Sequence, residues 1–438
     1  MNTGKVAVSG WLLRPVTWHA WGALGAVLLA VVVRVGLRGP DGGMDNAIVV
    51  RAAEAWLEGR SPYADRHFLY LPGAVLAAVP QALLPQSLVR FLVPAGVVAS
   101  LVFGWGCALR IHGVAWRSRF AVLGLLALAL GFAPFGHLVE LGNWTVASAA
   151  ALPLALLLVC RGRWVAAGLM IGAAVAVKPL LAPVVLLFVF ARRLRALGAA
   201  VLVPAVVSVG AALLMPDPAG FFTRTLPFLL RGDDAFVRLY EASPGAVLPR
   251  LGVPQGVASL LAFAAAGAGV WCAWRRWGRG GGSREPQGAQ GSQEPQEPRK
   301  SEESLKPQEP QGARVVETAV MLMLAAFLVS RPSYDHYLLV VVPLLLSGAL
   351  VPGAVARGPW YWLALVPQVP GFAWPWLEPG TRRAFRDCVT LCVLALTVAR
   401  SCVRAGGATL GDTDPPVAGE PPVPVSESRV LTRTGRRG

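Results

Sequence analysis

A carboxylate, a lysine and a histidine far apart in the chain carry the chemistry that can be read here: Asp45, Lys178 and His336. Asp45 stands near the start of a charged, amphipathic stretch, Gly43–Gly73, which follows the first long apolar run and also holds Glu54, Arg60, Asp65, Arg66 and His67. Lys178 separates one apolar run from Pro179. His336 belongs to the short polar segment Ser330–Tyr337, with Arg331 and Asp335, and another polar break contains His137, Glu140 and Asn143. A carboxylate beside cationic groups suits a reaction that takes a proton from a hydroxyl and expels a phosphate. Each residue also has a plain structural reading. Asp45 fits a helix cap, and Lys178 fits a side chain reaching toward headgroups. Asp335 and His336 fit a helix start, Arg331 a non-specific lipid contact, and His137 and Glu140 an ordinary loop. What favours function is that all of them are expected on one face of a membrane.

That expectation comes from the elements between them. The chain is 55% hydrophobic and only 15% charged, with a mean hydropathy of +0.55. Apolar runs recur along its whole length, and a helix needs about 20 such residues to cross a bilayer. Spans are expected near 18–37, 90–109, 120–136, 144–160, 164–177, 179–191, 197–215, 254–274, 316–330, 337–352, 359–377 and 384–402, which makes an all-α polytopic membrane protein of about twelve helices. The net charge of +16 is concentrated in short basic clusters, such as Arg110, Arg117 and Arg119, or Arg192, Arg193 and Arg195. These fall on the side of the N-terminus, so the positive-inside rule makes that side cytoplasmic and places both termini there. Arg382, Arg383 and Arg386, in the last outer loop, are the exception. Clusters of this kind set topology, and nucleic-acid binding is not implied.

The segments divide into a cytoplasmic N-terminus (1–17), a membrane region (18–277) whose first outer loop is 38–89, a linker (278–315), a second membrane region (316–403) and a tail (404–438). The linker repeats Glu-Pro-Gln and is rich in Gly and Ser, a composition that cannot bury a core. The tail reads the same way. The first span has the character of a retained anchor, lacking a small-residue cleavage site. The six cysteines fall within or beside spans, where small apolar packing is expected and disulfides are not. Cys388 and Cys392 are one turn apart with no histidine or carboxylate at metal-ligand spacing. No metal or cofactor is expected, although Asp45 and Glu140 could share a cation.

Four blocks of this sequence resemble glycosyltransferase family 87, polyprenyl-phosphate-sugar-dependent membrane enzymes that include actinobacterial α-mannosyltransferases. The first block runs from Asp45 through Ala52-Ala53 and Leu57-Glu58-Gly59-Arg60-Ser61-Pro62-Tyr63 to Phe68-Leu69-Tyr70-Leu71-Pro72. The second is Gly142-Asn143. The third runs from Ala167-Gly168 through Gly172 to Lys178-Pro179, and the fourth from Ser330-Arg331-Pro332 to His336-Tyr337. Many members have Gly-Gln before the asparagine and Tyr-Pro-Pro in the first block; here Gly142 meets Asn143 directly and Leu71 stands in the middle of the triplet.

The resemblance implies a GT-C bundle in the plasma membrane with an extracytoplasmic catalytic cavity. It further implies inverting transfer of a hexose, mannose foremost, from a polyprenyl-phosphate donor to a lipid-linked or cell-envelope glycan, with arabinofuranosyl transfer as the rival. In that reading Asp45 is the catalytic base, and Lys178, His336 and Arg331 hold the donor phosphate. Tyr63, Tyr70, His137, Glu140 and Asn143 contact substrate. A lipid or solute transporter would also be polytopic and apolar, but such proteins carry ionisable sites near the bilayer midplane and often repeated halves. A non-catalytic scaffold would tolerate loss of Asp45, Lys178 and His336 together.

Overall fold

The computed structural model describes residues 10–39, 41–231, 240–279, 311–371 and 379–404. Within them the regular structure is helical, with one isolated bridge between Pro15 and Ser118. Apolar chain in lipid has no water to satisfy its backbone, and helices satisfy it internally.

The described parts of the expected spans are largely helical, but they are divided differently. Among the described residues, five helices are long and apolar enough to cross a membrane alone: Trp18–Arg38, Gln86–Ile111, Leu194–Leu213, Gln255–Gly278 and Gln311–Val329. Arg119–Gly131 and Ala133–Leu141 make a sixth if counted together, although they meet at a bend of 71°. Phe132 has an extended backbone at that bend, and Pro134 has no N–H to bond back across it. Thr145–Cys160, Trp164–Val177, Pro179–Phe190 and Asp335–Ser347 are apolar but short. Pro179 and Pro183 hold the start of the third of these in a 3-10 conformation. The expected span 359–377 opens as Pro359–Leu365 and Val366–Gln368, and its end lies outside the described residues. The last helix, Pro379–Arg404, contains the expected 384–402. The helices Gln255–Arg279 and Gln311–Val329 include both edges of the segment read as linker; 280–310, 1–9 and the tail from 405 lie outside the described residues.

Two kinds of apolar helix are present, as helices hydrophobic all round must be either core or lipid-facing. Gln311–Val329 is buried on nearly every side and forms the centre of the main hydrophobic cluster. Leu194–Leu213 instead leaves Val201, Leu202, Val206, Val209 and Leu213 exposed, the face a bilayer would cover. Its other face lies against Trp164–Val177. Gly168 and Gly172, four residues apart, let the two backbones approach: a Cβ at Gly168 would strike the Ala196 carbonyl, and one at Gly172 would sit 2.9 Å from both the Ala199 oxygen and Val203 Cβ. Small residues at such a crossing replace the hydrophobic effect, which is absent between helices in lipid.

Replacing Gly168 by Leu is therefore expected to destabilise the bundle by about 1–3 kcal/mol. Thermal unfolding of the detergent-solubilised protein would show a lower midpoint. Gly198→Ala, at a glycine with open space around it, is expected to leave the midpoint unchanged or slightly raised.

Candidate active site

The site is assembled where two helix ends meet. The helix Ala133–Leu141 terminates at Gly142, whose left-handed backbone (φ 61°) is a conformation glycine adopts without strain. The Asn143 N–H then returns to the Leu138 carbonyl at 3.3 Å, closing the helix end. Gly142 rests against Gly42, and Gly43 against Leu141, so closely that a Cβ at Gly142 or Gly43 would collide with backbone. This contact fixes the start of the helix Met44–Leu57 beside Asn143.

Gly43 is the N-cap of that helix and makes no side-chain cap, and Asp45 lies in its first turn. A carboxylate there is favoured by the partial positive charge of the helix N-terminus. Its Oδ2 accepts a hydrogen bond from Asn143 Nδ2. The Asn143 Oδ1 accepts twice, from the Thr145 backbone N–H at 2.8 Å and from Lys178 Nζ at 2.9 Å. With its oxygen occupied by two donors, the amide can only present its NH2 group to Asp45. Trp144 Nε1 donates to Asn46 Oδ1 at 3.1 Å, a second tie between the same two segments.

Lys178 reaches this point because Pro179 forces it out of the helix Trp164–Val177. Its backbone is extended (φ −143°, ψ 122°), as the residue before proline prefers. The ammonium donates to Asn143 and, at 2.8 Å, to Thr145 Oγ1. It also lies 5.5 Å from the centre of the Tyr70 ring and 5.0 Å from that of Tyr337. An ammonium has three hydrogens, so one is left for a ligand. Burial pulls its pKa below the ordinary lysine value, and the nearby Asp45 charge opposes that shift.

Asp45, Asn143 and Lys178 line a cavity of about 600 Å³, together with Tyr70, Tyr337, Arg51, His67 and Arg331. Much of the remaining wall is apolar, including Ile48, Leu180, Phe228, Leu229 and Phe327. Arg331 is held at the wall by a 2.6 Å bond to the Gly245 carbonyl, with Glu241 3.7 Å away. A second cavity of about 170 Å³ adjoins the first across Met44, Asp45 and Tyr334, and is lined further by Leu141, Tyr240, Asp335, His336 and Arg383.

Of the residues singled out from sequence, the structure brings Asp45, Tyr70, Asn143, Lys178 and Arg331 together on the larger cavity. His336 lines the smaller one, its ring stacked on Tyr334. His137 lies behind that cavity, bonded to Asp335. Tyr63 and Glu140 are placed elsewhere. Tyr63 packs in a separate apolar cluster with Phe68 and Phe221, its hydroxyl 3.4 Å from the Tyr70 carbonyl. Glu140 is exposed, with Arg34 3.9 Å away, and lines neither cavity.

Sequence reasoning missed Asp335 and Arg383 as site residues. Asp335 is buried, accepts from the His336 N–H at 2.7 Å, and faces His137 and the Arg383 guanidinium, the latter at 3.5 Å. The signal was present: Arg383 belongs to the basic cluster that departs from the topology expected from sequence. A cation that breaks the positive-inside pattern is a candidate partner for a buried acid.

The model of glycosyltransferase family 87 matches residues 68–289, which include Asn143 and Lys178; Asp45, Arg331 and His336 lie outside the match. An alpha-(1->3)-arabinofuranosyltransferase of Mycobacterium tuberculosis (strain CDC 1551 / Oshkosh) is 38% identical over 177 residues, 40% of this chain and 41% of the relative. Proteins of the same name from Mycolicibacterium smegmatis and Corynebacterium glutamicum are 30% and 28% identical over 236 and 195 residues. Those alignments cover 51% and 42% of this chain, and 53% and 46% of the relatives. The chain thus aligns with roughly half or less of the length of these curated relatives. No solved structure matches.

Removing the amide that joins the acid and the lysine tests the geometry. Asn143→Ala deletes two hydrogen bonds to charged groups, each worth about 1.5–3 kcal/mol. Affinity for an anionic ligand of the larger cavity is expected to fall roughly 10–100-fold, read by titration of the purified protein. An unchanged affinity would show that Lys178 does not depend on Asn143.

Proposed function

This chain belongs to glycosyltransferase family 87, and from that premise we infer that it moves a sugar from a polyprenyl-phosphate donor to a hydroxyl of an envelope glycan or glycolipid. The observation that carries the reading is the line Asp45–Asn143–Lys178 on the wall of a large, mainly apolar cavity. A general base and a phosphate-binding cation stand a single amide apart there. An apolar wall suits an isoprenoid chain, and Lys178 with Arg331 suits the phosphate that ends it.

The reaction needs one displacement. The acceptor hydroxyl loses its proton to Asp45, and its oxygen forms a bond to the anomeric carbon. The bond from that carbon to the phosphate oxygen breaks, and the polyprenyl phosphate leaves with the electron pair. Attack opposite the leaving group inverts the anomeric centre. Lys178 offers its free N–H to the departing phosphate, whose growing charge is stabilised by a donor already in place. The phosphate also returns negative charge to the buried ammonium and so favours its protonated form. The Asn143 amide keeps the carboxylate and ammonium apart, so that neither neutralises the other by direct contact.

For the sugar, the names of the relatives move the reading from mannose to arabinofuranose. An incubation of purified protein with polyprenyl-phosphate arabinose or polyprenyl-phosphate mannose, plus a lipid-extracted acceptor, decides between them. Transfer of arabinose is expected; transfer of mannose alone would sink the assignment. Asp45→Asn is expected to lower kcat by about 10²–10⁴-fold, the usual contribution of a positioned base, with donor KM little changed. Lys178→Met is expected to lower kcat/KM by about 10²–10³-fold. Normal donor use by Lys178→Met would remove it from the phosphate site.

A further inference from the structure

The two cavities differ in chemistry while sharing Asp45. The larger has long apolar walls, whereas the smaller is ringed by Tyr240, Tyr334, His336 and Arg383 around the shared carboxylate. Two polar atoms on these residues are buried without a hydrogen-bond partner among the described residues: His336 Nε2 and Arg383 Nε. His336 itself is 2% exposed. A buried polar atom with no partner is expensive, so two of them on residues that line one cavity point to a ligand that supplies the missing bonds.

The rest of the wall is built to hold those atoms still. Arg383 stacks over the Tyr240 ring at 4.9 Å and reaches His137 at 3.3 Å and Asp335 at 3.5 Å. Asp335 in turn accepts from the His336 backbone, and the His336 ring is stacked 5.3 Å from Tyr334. Aromatic faces beside fixed polar groups match a sugar ring, which presents C–H bonds on its faces and hydroxyls at its edge. A lipid chain would leave the two nitrogens unpaired.

We propose that the smaller cavity is the subsite for the acceptor's terminal sugar, with His336 Nε2 and Arg383 Nε meeting its hydroxyls. One of those hydroxyls is thereby turned toward Asp45. This rests on the glycosyl-transfer reading above and extends it, since it names the neutral, hydroxyl-rich ligand and where it sits. Donor and acceptor then approach the carboxylate from opposite sides, the donor from the larger cavity. Asp335 and His137 are positioning residues, acting through Arg383 and His336. Leu141 closes the subsite without lining the donor cavity.

The test uses the full-length protein in lipid nanodiscs, with polyprenyl-phosphate arabinose as donor and a short arabinan oligosaccharide as acceptor. In Arg383→Lys, and separately in Leu141→Trp, which fills the subsite, acceptor KM is expected to rise about tenfold or more. Donor KM is expected to stay within about twofold. Leu141→Trp keeps the test intact if loss of the Arg383–Asp335 pair impairs folding. The proposal is overturned if acceptor KM is unchanged in Leu141→Trp, or if donor KM rises in its place. A wild-type protein that releases no polyprenyl phosphate from either donor would defeat the glycosyl-transfer reading itself, and the subsite with it. An active wild type with unmoved acceptor KM in the variants defeats the subsite alone.

Discussion

One asparagine amide organises the site. Asn143 accepts from an ammonium and a backbone N–H through its oxygen and donates to a carboxylate through its nitrogen. A buried carboxylate and a buried ammonium that meet directly form an ion pair, in which the acid is a poor base and the cation is not available to a ligand. Separated by a neutral dipole that bonds both, each is spared direct contact with the other and keeps one side on the cavity. The opposite ends of a displacement need those two properties.

That arrangement depends on backbone contacts more than on side chains. Gly43 and Gly142 bring two chain segments together closer than any Cβ would permit, and Gly142 also takes the left-handed turn that ends its helix. Pro179 ejects Lys178 from its helix at the level of Asn143. Farther out, Gly168 and Gly172 seat the lysine-bearing helix against Leu194–Leu213. The polar centre is thus held by tight, small-residue packing, the kind of association available to helices in lipid.

Much of this was legible in the sequence. The class followed from apolar runs, and the Lys-Pro pair marked a break between two of them. Asp45 had two readings, cap or base, and the structure gives the cap position to Gly43. Less legible were the lengths of the spans, because prolines and the extended Phe132 shorten helices that composition treats as continuous. Tyr63 and Glu140 share a sequence block or loop with site residues, but Tyr63 packs with Phe68 and Phe221 and Glu140 stays exposed beside Arg34. Asp335 and Arg383 are separated by 48 positions and joined only by tertiary packing, which periodicity does not encode. Their trace was an arginine cluster where the topology expected from sequence wanted none.

The central claim is that Asp45 and Lys178 address two ends of one bound sugar phosphate. A structure of the protein in lipid with a non-transferable polyprenyl-phosphonate sugar tests it most directly. The account predicts the phosphonate within about 3 Å of Lys178 Nζ, the lipid chain along the apolar wall, and the anomeric carbon lying between the phosphonate and Asp45. A phosphonate bound away from Lys178, or a sugar on the far side of Asn143 from Asp45, would contradict it.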